Sequence, residues 1–294
     1  MRNKLTKITL AASIALALAL TFGCPSSSDN GGNEPGGTSS SSSVTANSGN
    51  GSSSSATSGG GSSSSATASG GTSSSVTSGV AASETVVIGG KTWQVKNLAV
   101  NVPGSKCYAE GVSGVSADSV AKNCARYGRL YDWATAMSLP SKCNSTLSTS
   151  DAECAIRTPN HQGICPAGWH IPSNAEWDAL YRSADGTSGT DSPYDSYTAG
   201  KHLKAKEGWT DCGPSGSGKS YSCEDTYNFS ALPGGLGLST GGGFVDAGVG
   251  GYWWSASEGN SHTAYNRFIF YSYEAAGYYG NAKGGLQSVR CLQD

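Results

Sequence analysis

The pattern of apolar and polar positions changes character along this chain. Residues 8–22 are apolar except for Thr9, Ser13 and Thr21, a run too short to be a comfortable membrane span. Residues 25–83 show no apolar period at all. Beyond them, two short runs, Val86–Ile88 and Lys91–Val95, flank the pair Gly89-Gly90, and a two-residue glycine turn between such runs predicts a β-hairpin. Leu130, Trp133, Ala134 and Met137 recur at i, i+3, i+4 and i+7, which predicts a helix that Pro140 ends. Pro172 and Ser173 precede Glu176 at capping-box spacing, and Trp177, Leu180 and Tyr181 supply the buried stripe of a second helix. Glycine-rich loops over residues 234–251 then lead to aromatic segments at Tyr252–Ser255, Tyr265–Tyr273 and Ser288–Leu292, read as strands. Two helices followed by separate short strands predict a small, irregular α+β fold.

The amino-terminal run gains meaning from its flanks. Arg2, Lys4 and Lys7 precede it, and it ends in Leu20-Thr21-Phe22-Gly23-Cys24. This is the layout of a signal peptide, residues 1–23, and its end resembles a bacterial lipobox. Cys24 is the expected lipidation site and makes the membrane a partner through a lipid anchor. Pro25 rather than Asp stands next, which points to the outer membrane and a surface-exposed protein. Residues 24–83 read as the lipidated cysteine and a disordered Ser/Gly-rich linker, because a segment without aromatic residues cannot bury enough apolar surface to offset its ordering entropy. Its near-decameric repeat at Gly51, Gly61 and Gly71 is too short and too polar for a solenoid. As a flexible coil of about 60 residues it reaches roughly 40 to 45 Å root-mean-square.

Composition shifts at Glu84, beyond which lie all seven Trp, all fourteen Tyr, all four His and eight of the nine Cys. Residues 84–294 are expected to form one domain. A net charge of -2 offers no basic surface for a phosphate backbone, so nucleic acid is not an expected partner. The eight cysteines form no CxxC pair, and in an exported chain they are expected to be disulfides. Many connectivities are open to eight cysteines. The favoured set takes Cys107 with Cys124, Cys143 with Cys154 and Cys212 with Cys223 as local loops, and Cys165 with Cys291 as the long-range tie.

Several runs in this part of the chain occur together in one order: Gly90-Lys91-Thr92-Trp93 with Asn97-Leu98; Gly128-Arg129-Leu130-Tyr131-Asp132-Trp133-Ala134-Thr135-Ala136-Met137; Cys165-Pro166-Ala167-Gly168-Trp169-His170-Ile171-Pro172-Ser173. Leu203-Lys204-Ala205 with Gly208-Trp209, Phe229-Ser230-Ala231-Leu232-Pro233-Gly234-Gly235, Gly251-Tyr252-Trp253-Trp254-Ser255-Ala256 and Ser288-Val289-Arg290-Cys291 follow. With these the domain resembles the Fibrobacter succinogenes major paralogous domain. The resemblance implies a relative of the C-type-lectin-like fold, in keeping with a bridge between Cys165 and Cys291. It implies no catalytic residue.

The candidate chemistry is thin. Gly213-Pro214-Ser215-Gly216-Ser217-Gly218-Lys219-Ser220 satisfies the P-loop pattern, but no buried strand precedes it and two cysteines bracket it, so a stapled loop is expected and no nucleotide. Asp185, Asp191 and Asp195 could ligate calcium through oxygen, without EF-hand spacing. His161, Cys165 and His170 could suit zinc, but an oxidised Cys165 removes a ligand. No metal and no other cofactor is expected. Asp132, Glu176, Asp178 and Glu258 are the carboxylates nearest aromatic clusters. The late tyrosines and tryptophans are the better signal: alternation sends Trp253 and Trp254 to opposite faces. A shallow ligand face is expected at Trp254, Tyr271 and Tyr273, with Glu258 and Arg267 as hydrogen-bonding partners. The leading expectation is a non-enzymatic binding or adhesion module whose ligand is a glycan or an envelope protein. An extracytoplasmic carbohydrate-active enzyme and a structural surface-layer component are the alternatives.

Overall fold

The computed structural model describes residues 84–156, 159–185, 198–240 and 242–294. The segment expected to be a signal peptide, Cys24 and the repeats of the expected linker lie outside the described residues, as do Asp191 and Asp195. The fold is mixed α+β with four disulfides.

The expected hairpin opens it, with β1 (Thr85–Ile88) antiparallel to β2 (Lys91–Gln94) across Gly89 and Gly90, both at positive φ. Helix α1 (Ala117–Tyr127) follows, capped by Ser116, whose side chain accepts from Ser119 N–H. The periodicity at Leu130–Met137 folds only partly as expected. Leu130 and Tyr131 form isolated bridges, and Asp132 caps a single turn, α2 (Trp133–Ala136), by accepting from Thr135 N–H. Two short 3-10 turns, Ser141–Asn144 and Ala152–Cys154, come next. After β3 (Trp169–His170) comes α3 (Asn174–Asp185), with Trp177, Leu180 and Tyr181 buried as the stripe predicts. Helix α4 (Ala199–Leu203) and the paired strands β4 (Cys212–Gly213) and β5 (Tyr221–Ser222) complete the first part.

The glycine-rich stretch is more regular than expected. It contains β6 (Gly234–Gly237) and β7 (Phe244–Ala247), which join β8 (Gly250–Glu258), β9 (Thr263–Phe270) and β10 (Ala276–Ala282) in a five-stranded sheet of order β10-β9-β8-β6-β7. The last strand, β11 (Leu292–Gln293), inserts between β2 and β3, so Leu292 faces both Trp93 and His170. The two ends of the described domain therefore meet in one sheet.

Trp253 and Trp254 leave β8 on opposite faces, each into a different core. On one side Trp253 packs with Trp93, Trp177, Tyr181, Leu203, Phe229 and Ile269. On the other Trp254 packs with Tyr131, Trp133, Met137, Trp169 and Val289. Gly251 makes room for this, since a Cβ there would lie 2.4 Å from the Trp253 ring. The register of β8 on β9 slips between Trp254 and Glu258, a bulge that Ser257 N–H closes by donating to Ser255 Oγ at 3.1 Å. Bulges of this kind turn side chains at the end of a strand, and this one shapes the site below.

The disulfides are those favoured from the sequence: Cys107–Cys124, Cys143–Cys154, Cys165–Cys291 and Cys212–Cys223. The P-loop-like run lies inside the last of these loops, with no helix after Ser220.

Candidate functional site

The five residues expected to share one ligand face lie in separate places. Trp254 is fully buried, and its indole N–H donates to Tyr131 O at 2.8 Å. Arg267 is also buried, on the opposite side of the sheet, paired with Asp178 and donating to Asn174 O at 2.9 Å. Tyr271 is half-buried and packs edge-on against Tyr221, their ring centroids 5.2 Å apart. Tyr273 meets solvent, being 58 % exposed. Glu258 sits at the far end of β8 beside Lys283. Trp254 and Arg267 thus have no ring face or charge to offer a ligand: both faces of the sheet are covered at their positions, which a period-two pattern cannot reveal.

An aromatic surface nevertheless exists, built from Tyr252 and Tyr279 of the late tyrosines and from Phe268 and Phe270, which carried no site expectation. Tyr252 lies opposite Phe268, and Phe270 follows Phe268 on the same face. Their rings form a chain: Tyr252 to Phe270 at 5.7 Å, Phe270 to Phe268 at 5.6 Å, Phe268 to Tyr279 at 5.2 Å, and Phe270 to Tyr273 at 6.3 Å. Tyr252 is the buried floor, Phe268 and Phe270 are half-buried, and Tyr279 is 38 % exposed. At its edge Asp246 adopts a left-handed backbone, φ 68°, and accepts a 2.6 Å hydrogen bond from the Tyr252 hydroxyl. Burial, and then the Asp246 charge, push the phenol pKa of Tyr108 up; burial does most to raise that of Tyr252 and of Tyr279, the last to about 12. These hydroxyls stay protonated, and that of Tyr252 donates to the Asp246 carboxylate. Alternation of Asn266, Phe268 and Phe270 was the available signal.

Lys204 holds the corner that carries Tyr273. Its buried ammonium donates to Tyr271 O at 3.1 Å and Tyr273 O at 2.6 Å, above the Trp209 ring. Burial lowers its pKa to about 8, with the charge of Glu274 opposing.

A cleft of about 240 Å³ opens at the other end of β8, lined by Ser148, Ile156, Ser173, Ala256, Ser257 and Glu258. Three elements meet there: the bulge of β8, the residue before α3, and the loop stapled by Cys143–Cys154. Glu258 accepts from Ser148 N–H at 3.0 Å and Ser148 O–H at 2.7 Å, and pairs with Lys283. Lys283 is fully buried, donates also to Cys143 O and Thr146 O, and stands 4.4 Å above the Trp133 ring. Burial raises the pKa of Glu258, but Lys283 and Ser148 outweigh it and bring it below the usual carboxylate value. Glu258 is an ionised acceptor here. Ser148 and Ile156 were not legible as site residues, because only the folded loop brings them to β8.

The other candidates have structural partners. His170 joins Asp294 through Nδ1 at 2.7 Å and Glu176 through Nε2 at 3.1 Å, and Ser173 N–H and O–H both donate to Glu176 at 2.9 Å. Burial works against the charge of His170 and of Glu176, yet their pairing prevails, raising the first pKa and lowering the second to about 2. Cys165 is oxidised, His161 lies 2.8 Å from Met137 O, and no metal-ligand cluster occurs among the described residues. Asp132 caps α2 and Asp178 pairs with Arg267.

The residues of the ordered runs quoted above converge in the core rather than at either surface. Trp253 Nε1 and Arg290 Nη2 donate to the same Asn97 Oδ1, at 2.8 and 2.9 Å, while Asn97 Nδ2 reaches Tyr127 O at 2.9 Å. Arg290 also donates to Gln94 O and Phe229 O. No curated protein and no solved structure matches the chain. The model of the Fibrobacter succinogenes major domain does, over residues 86–293. The chain belongs to the Fibrobacter succinogenes major domain family.

Proposed function

We propose that the protein is an exported, lipid-anchored binding module that holds its domain away from the outer membrane and engages glycan through the aromatic face of β8, β9 and β10. The observation that carries this reading is the solvent-facing pair Tyr273 and Tyr279, laid against the half-buried Phe268 and Phe270. Flat rings with polar tips stack on the apolar faces of sugars, and Asp246 at the edge offers an acceptor to their hydroxyls. The C-type-lectin-like relationship implied by the resemblance, and acylation of Cys24, are parts of the same proposal.

Binding of the full chain to immobilised plant polysaccharides and envelope glycans, with and without Tyr273→Ala and Tyr279→Ala, tests the ligand. Each substitution is expected to weaken binding roughly two- to tenfold, at unchanged melting temperature for the exposed Tyr273 and with a modest fall for Tyr279, whose ring packs on Phe268. Equal binding by the double variant overturns the glycan face. Cys24→Ala is expected to release the protein from membranes, and retention of a correctly processed variant overturns the anchor.

A further inference from the structure

We infer that the cleft at the Glu258 end of β8 is a second binding site, for one neutral sugar ring at the end of a glycan chain. It does not rest on the aromatic face. Tyr252 and Glu258 are six residues apart on β8, roughly 20 Å at strand rise, so the two sites lie toward opposite ends of one strand.

The argument starts from charge. Glu258 is the carboxylate of the cleft wall, and the buried ammonium of Lys283 neutralises it from behind. The pair has no net charge to attract a cation, and the carboxylate already accepts from Lys283 and from the N–H and O–H of Ser148. The wall adds the oxygens of Ser148 and Ser173, whose protons go to Glu258 and Glu176 and which keep lone pairs for hydroxyl donors, and the hydroxyl of Ser257. Ser257 Oγ accepts from Asn174 N–H at 3.0 Å, and its own proton remains to be donated. Ile156 and Ala256 supply an apolar patch. Hydroxyl acceptors and donors around a small apolar wall match a pyranose, which carries hydroxyls at its rim and C–H groups on its face. At about 240 Å³ the cleft is smaller than the roughly 300 Å³ at which pockets for drug-sized ligands begin. It takes one ring, not an oligomer lying along it.

The site is also built rigidly, as a selective site must be. The β8 bulge is closed by Ser257 and Ser255, and Ala256 N–H is tied to Pro172 O at 2.9 Å. The opposite wall hangs on the Cys143–Cys154 disulfide and on the bonds from Lys283 to Cys143 O and Thr146 O.

Two-dimensional amide NMR spectra of the full chain, titrated with methyl β-D-glucopyranoside and methyl β-D-galactopyranoside, test the inference, with glucosamine and glucuronate as charged controls. The expected result is saturable movement of the Ser148 and Ser257 amides by at least one neutral glycoside, with a millimolar Kd and weaker response to both charged sugars. Ile156→Trp should fill the cleft and weaken this response about tenfold or more. Ser148→Leu fills it from the loop side and replaces the first variant should that one lower the melting temperature. No movement at Ser148 and Ser257 with either neutral glycoside overturns the site, as does movement that survives a filled cleft or is stronger with a charged sugar. Failure of the aromatic face is read separately, at the amides of Phe268 and Tyr279.

Discussion

Arg290 donates through Nη2 to Asn97 Oδ1 at 2.9 Å across a sequence separation of 193, with both side chains enclosed. Burial lowers the pKa of this guanidinium, and the charge of Asp225 is a smaller opposing influence. Its direct hydrogen-bond acceptors, in Gln94, Asn97, Phe229 and Ser230, are neutral oxygens. A buried cation held in this way depends on every acceptor being present.

Asn97→Ala should therefore destabilise the domain by about 3 kcal/mol or more, since it strips one acceptor from both Arg290 and Trp253. Asn97→Asp keeps the acceptor and should cost less, although it loses the donor to Tyr127 O. Urea midpoints at unchanged slope check the order of the two variants. Equal loss would mean that the amide donor to Tyr127 O matters, and not the acceptor, since Asp keeps both the shape and the acceptor of Asn.

The His170 pairing predicts a stability profile that falls on both sides of neutrality. The folded pKa of His170 is raised, so its contribution is full below the unfolded value near 6.5 and is lost as pH rises through the folded value. Glu176 is lowered to about 2 from 4.5, so its contribution is full above 4.5 and is lost as pH falls toward 2. His170→Gln should flatten the alkaline limb in melting scans from pH 5 to 9, and an unchanged limb would assign it to other groups.

Lys204 has the opposite sign. Its folded pKa is about 8 against 10.5, so burying it as a cation weighs on the fold below pH 8, and that load lifts as pH rises toward 10.5. Lys204→Met should remove this alkaline gain relative to wild type. It should also cost about 1 to 3 kcal/mol near neutrality, because Tyr271 O and Tyr273 O lose their donor. Amide exchange at residues 271–274 measures whether the corner carrying Tyr273 loosens.

The four bridges should differ in value. Loop-closure entropy assigns about 5 kcal/mol to Cys165–Cys291, with its separation of 126, and about 3 kcal/mol to Cys143–Cys154, with its separation of 11. Paired Cys→Ser variants compared by thermal unfolding test the ranking. Intact-mass analysis after alkylation should find no thiol among residues 84–294.

Local physics made part of the molecule legible. Gly89-Gly90 between apolar runs specifies the β1–β2 turn wherever it occurs, and Ser173 with Glu176 specifies the start of α3, so both were readable without the fold. Eight cysteines in three short-range pairs and one leftover pair gave a connectivity that the structure contains. By contrast α1 was passed over: Val120, Cys124 and Tyr127 fall at helical spacing on its inward face, but only Tyr127 is fully buried, and Ser116 and the Cys107–Cys124 bridge do much to hold it. Strands β6 and β10 were hidden by their glycines and β7 by the glycines that flank it, and their strand character comes from pairing, β10 with β9, β6 with β8 and β7 with β6.

The sequence by itself determined that this is a mixed, disulfide-stapled domain of a recognisable family, because caps, turns, cysteine spacing and ordered motifs are carried by neighbours in the chain. Only the tertiary structure decided which aromatics meet water. Tyr252, Trp253 and Trp254 all alternate correctly on β8, yet each is buried because the sheet is covered on both sides there, while Tyr273 lies past the end of β9 and is exposed. The cleft at Glu258 likewise follows from a bulge, a helix start and a stapled loop that are distant in sequence. Exposure and convergence are properties of packed layers, and periodicity along one strand does not contain them.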